Sequence, residues 1–78
     1  MFYQKFQGNE YSYSYENETD QFLLFKNNYS DHVVLKDYDV YLFRARIGWI
    51  NSQLSDQTEE EKNLHMENEI AYFLRNRY

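Results

Sequence analysis

A chain of 78 residues without cysteine reads as one small domain, 1–78, that buries only about 60% of its unfolded surface and has no disulfide staple or thiolate metal site to help. Its 13 Asp and Glu against 8 Lys and Arg give a net charge of −5, so bare nucleic acid is excluded as a good partner, since binding it relies on cations that neutralise phosphates. Disorder is excluded by six Phe, nine Tyr and one Trp, which bury large apolar area from few positions.

The first half of the chain reads in twos. A first strand is expected over about residues 2–7 (FYQKFQ), followed by Gly8-Asn9, a pair suited to a tight reversal because glycine accepts a positive φ. Residues 11–16 (YSYSYE) alternate tyrosine with serine, the period of a strand with two unlike faces. After the polar break at residues 17–20, the run QFLLFK at 21–26 suits a central strand covered on both sides. NNYSD turns the chain again, and 32–36 (HVVLK) is a fourth β-rich run.

The middle of the chain carries two periods at once. Val40, Phe43, Ile47, Ile50 and Leu54 recur at steps of 3, 4, 3 and 4, one face of a helix. Tyr41, Phe43, Ala45, Ile47 and Trp49 also alternate as in a strand, and Gly48 favours a strand ending near Ile47. Length favours a helix over 38–54, with Asp37 capping its start through its carboxylate. A second helix is predicted over 59–76. Thr58 and Glu61 have capping-box spacing, three glutamates stand at the positive end, and Arg75 and Arg77 stand at the negative end. Its buried side is assigned to Leu64, Ile70, Ala71, Phe73, Leu74 and Tyr78. The fold class that follows is α+β, with a small antiparallel sheet of three to four strands from the N-terminal half packed by two C-terminal helices.

Catalytic chemistry finds little support. Neither glycine lies near a plausible nucleophilic serine, and there is no glycine-rich phosphate loop. His65 with Glu61 and Glu69 shares a helix face, which is more simply a solvated face than a metal site. No enzyme activity, cofactor or metal is expected. The sequons at Asn17 and Asn28 read as composition, because no secretory signal or membrane span is recognisable and the chain reads as cytoplasmic.

Two surfaces are candidates for partner binding. Tyr11, Tyr13 and Tyr15 either serve only the sheet or, if the serines face the helices, stand on an open face as rigid contacts. Leu42, Ala45 and Trp49 lie away from the apolar stripe of the first helix and make that helix sticky on two sides. Asp56, Glu59, Glu60 and Glu61, with Asp37 and Asp39 in the preceding turn, have the charge density to imitate a phosphate backbone. The function expected is therefore a small acidic protein-binding module, an inhibitor that occupies the basic surface of a larger protein. Phage-encoded anti-CRISPR or anti-restriction DNA mimics do this, an analogy of class resting on size, acidity and aromatic content. The alternatives are a homo-oligomeric accessory protein, such as a homodimer, paired through the Leu42/Trp49 face, and an immunity protein or antitoxin.

Overall fold

The computed structural model describes residues 4–76. Phe2, Tyr3, Arg77 and Tyr78, assigned above to the first strand and the end of the last helix, lie outside them. Strands β1 (Lys5–Gln7), β2 (Tyr11–Glu16), β3 (Gln21–Lys26) and β4 (His32–Leu35) form an antiparallel meander in the order β1-β2-β3-β4. Helices α1 (Tyr38–Gln53) and α2 (Glu59–Asn76) follow, giving the predicted α+β arrangement.

The register assigns each side chain a face. Tyr13 pairs with Leu24 and Leu24 with Val33, while Tyr15 pairs with Phe22 and Phe22 with Leu35. These two rows meet the helices, and Tyr13, Phe22, Leu24 and Leu35 are buried. The intervening rows, Ser14-Leu23-Val34 and Ser12-Phe25-His32, point to the other side of the pleat. Among the described residues β3 is thus paired along both edges but covered by the helices on one face only, with Leu23 and Phe25 half-buried on the other, which corrects the expectation of cover on both.

From α1 the core receives Val40, Phe43, Ile47 and Ile50, four of the five residues of the predicted stripe, with Leu54 partly buried beside them. The helical period therefore overrides the alternation that competed with it. From α2 it receives Met66, Ile70 and Phe73. Leu64 is not among them. It lies nearly half a turn from the line of Met66, Ile70 and Phe73 and is 60% exposed, which corrects its predicted burial. At the centre, the Phe43 ring makes edge contacts with Tyr13 at 5.4 Å, Phe22 at 4.9 Å and Phe73 at 5.3 Å between centroids.

Helix starts follow different rules at the two ends. At α2 the capping box forms: the Glu61 N–H donates to Thr58 Oγ1 at 3.2 Å, and the Thr58 N–H donates to Glu61 Oε1 at 3.3 Å. Asp37 stands at the N-cap of α1 but makes no side-chain cap bond, contrary to its predicted role. Its backbone has φ 59° and ψ −125°, a left-handed conformation that glycine adopts more easily. Asp20 and Asn28 also have positive φ, at the β2–β3 and β3–β4 turns.

The two glycines are used in ways the turn argument did not foresee, since neither has a positive φ. At Gly8 a Cβ would stand 2.5 Å from the Tyr11 carbonyl oxygen and 2.5 Å from Glu67 Cδ, so the residue is required for close approach. At Gly48, inside α1, a Cβ would meet nothing within 4 Å. Gly48→Ala is therefore expected to raise stability by about 1 kcal/mol through helix propensity alone, read as a higher urea midpoint at unchanged slope.

Candidate functional site

The predicted partner-binding residues separate into groups once folded. Tyr13 is 2% exposed and belongs to the core, while Tyr11 and Tyr15 are half-buried on the same helix-covered face. The serines, not the tyrosines, face outward, so these three rings form no reading surface on the open sheet. Tyr15 instead joins a latch at the β2–β3 hairpin. Its hydroxyl donates to Asp20 Oδ1, and Arg44 of α1 donates to Asp20 Oδ1 at 2.8 Å and to the Tyr15 hydroxyl at 3.0 Å.

The latch has a defined pH window. The hydrogen bond from Tyr15, and then that from Arg44, holds the Asp20 carboxyl below its ordinary value of 3.8. The same bond to Asp20, with burial next, pushes Tyr15 above its ordinary 10.0. A lowered carboxyl contributes stability above its unfolded value and loses it as pH falls through the folded one. A raised phenol contributes stability below its unfolded value and loses it as pH rises through the folded one. The difference in unfolding midpoint between the native chain and Asp20→Asn is expected to be constant from about pH 5 to 9 and to narrow below about pH 3. A difference that persists in acid would show that the latch does not act through the charged carboxylate.

The acidic residues do not form one row. Asp37 and Asp39 stand at the start of α1, whereas Asp56, Glu59, Glu60 and Glu61 stand beyond its end. The 16 residues of α1 separate the two groups by about 24 Å. Asp37, Asp56, Glu59, Glu60 and Glu61 are exposed and Asp39 is half-buried. Glu61 serves the capping box and Glu69 forms a fork with Arg46, at 3.0 and 3.4 Å. Two members of the His65 group are thus engaged elsewhere, and among the described residues no three His, Asp or Glu gather in a way that could hold a metal.

Between the two acidic poles runs an exposed aromatic stripe. Tyr38, Tyr41, Ala45 and Trp49 follow steps of 3, 4 and 4, about half a turn round from the buried stripe, and all four are exposed. Tyr38 and Tyr41 stack with centroids 6.0 Å apart and planes at 23°. Trp49 is 48% exposed, with the Arg46 guanidinium 5.4 Å from its ring centroid. Leu42 is half-buried against the core, so the predicted Leu42/Trp49 face divides: Leu42 turns inward, while Ala45 and Trp49 stay outside. Tyr38 and Tyr41 were missed as site residues, although their spacing to Trp49 was visible beside the core period. Both arginines of α1 are engaged by carboxylates from elsewhere in the chain, Arg44 by Asp20 and Arg46 by Glu69.

Among the described residues no helix is long and apolar enough to cross a membrane. No protein-family model, no curated protein and no solved structure matches this chain.

Proposed function

We propose that this chain is a small acidic protein-binding module that lays the outer face of α1 on a basic surface of a larger protein and so denies that surface to nucleic acid. The observation that carries the reading is the stripe of Tyr38, Tyr41 and Trp49, exposed on a helix whose opposite side fills the core. Large rings of this kind lose little entropy on docking and act as anchors at protein interfaces. With Arg44 and Arg46 already engaged, the net charge of −5 draws the molecule toward cationic surfaces. Because the acids form two poles instead of one row, the rings supply most of the affinity and the poles supply the approach rate.

The test recovers partners from the host cell with the tagged chain, then measures each partner with two variants. Trp49→Ala is expected to lower affinity by about 30-fold or more while costing about 1 kcal/mol of stability or less, because the ring is only half covered. Changing Glu59, Glu60 and Glu61 to Gln is expected to slow association and flatten its salt dependence. The fold is kept, since Gln serves the capping box as well as Glu. Unchanged affinity in Trp49→Ala would remove the α1 face from the reading. A tight dimer in sedimentation that shields Trp49 from solvent would favour the homo-oligomeric alternative.

A further inference from the structure

We infer that the cavity between the β3–β4 end of the sheet and the last turns of α2 is a binding site for a small carboxylate with an apolar body. The inference is independent of the α1 face. The cavity has a volume of about 360 Å³, within the range of small-ligand sites. Its apolar wall is made by Tyr11, Val33, Ala71 and Leu74, all half-buried.

The strand end that carries Tyr11 is pinned by residues outside the cavity lining. The Glu67 carboxylate accepts the Glu10 N–H at 2.6 Å and the Tyr11 N–H at 3.0 Å. Asn27 Nδ2 donates to the Gly8 and Asn9 carbonyls at 2.8 and 3.1 Å, tying the neighbouring turns together. A wall held in this way loses little freedom when a ligand enters.

The lip supplies the charge preference. Lys26 and Arg75 line the cavity, and among the described residues neither is ion-paired, whereas Arg44, Arg46 and Lys62 each meet a carboxylate. Lys26 Nζ lies 4.9 Å from the centroid of the Tyr29 ring, which holds it at the lip. Asp31 also lines the cavity and opposes an anion, so Lys26, Arg75 and Asp31 leave a local balance of one positive charge in a chain of −5. The C-terminal carbonyls of α2 are likewise unfavourable to an anion, and Arg75 in the last turn offsets them. A carboxylate is thus directed to the Lys26–Arg75 side, with its ring or short chain against Val33 and Leu74.

Titration of the ¹⁵N-labelled chain with phenylacetate, 2-phenylethanol and phenethylamine compares one apolar body carrying negative, no and positive charge. Phenylacetate is expected to give saturable shifts confined to the residues around the cavity, with 2-phenylethanol about tenfold weaker and phenethylamine weaker still. Arg75→Gln and Lys26→Gln, both at exposed positions, are each expected to weaken phenylacetate about fivefold and to leave 2-phenylethanol unchanged. Equal response to all three compounds, shifts scattered over the surface, or no saturation up to about 50 mM would overturn the assignment.

Discussion

Replacing Phe43 by alanine is expected to remove about 3–5 kcal/mol of stability, because the lost ring leaves a cavity that its neighbours cannot close. Three aromatic rings meet Phe43 edge-on, from β2, β3 and α2, so no single element can move in without breaking another contact. A domain of 78 residues holds roughly 4–12 kcal/mol in total, so the variant stands near its unfolding threshold. Urea unfolding followed by circular dichroism measures the loss. A value below about 1.5 kcal/mol would mean that α1 does not dock through this ring. Trp49→Ala on the opposite side of the same helix is the internal control, with both substitutions removing an aromatic side chain from α1.

Glu67→Ala is expected to cost about 2–4 kcal/mol, an unusual loss for a helix glutamate. Glu67 is 8% exposed, and its Oε1 is the acceptor for two backbone donors at the β1–β2 turn. Without it, the Glu10 and Tyr11 N–H groups lose charge-assisted bonds at a partly buried place. Glu67→Gln keeps an acceptor oxygen in reach and is expected to lose about half as much. Gly8→Ala is expected to cost about 1–3 kcal/mol, because its Cβ would press on both the Glu67 side chain and the Tyr11 carbonyl. Since Glu67→Ala relieves one of those two clashes, the Gly8→Ala/Glu67→Ala pair is expected to lose less than the sum of the singles. Strict additivity, measured by the same unfolding experiment, would show that the turn and α2 are not joined through this carboxylate.

Glu67 also marks where reading in one dimension stops. It sits on the flank of the Met66-Ile70-Phe73 line, but a glutamate there looks like any solvated helix position. Its partners lie 56 and 57 residues away, and only the packing of α2 on β2 brings them together. The same holds for Gly8, whose need for a missing Cβ comes from that distant side chain and not from its own φ.

The local elements were legible because each has a period and an end signal that act over a few residues. Tyrosine-serine alternation made β2, the 3-4-3 spacing of Val40, Phe43, Ile47 and Ile50 made α1, and Thr58 with Glu61 started α2. The face of the tyrosines was not legible, because alternation in one strand defines two faces without saying which meets the helices. Pairing decides that by setting Tyr13, Leu24 and Val33 in one row across the sheet and Tyr15, Phe22 and Leu35 in another, so that the richer apolar rows share one side. Packing on that side then buries Tyr13, spends the inner stripe of α1 on the core, and leaves Tyr38, Tyr41 and Trp49 exposed on the outer side of that helix. Helix length, for its part, sends the acidic groups to opposite ends of α1. The amino-acid order thus determines strand, helix and cap through short-range geometry, while exposure is a property of the assembled layers, because a side chain is covered only by what other segments bring to it.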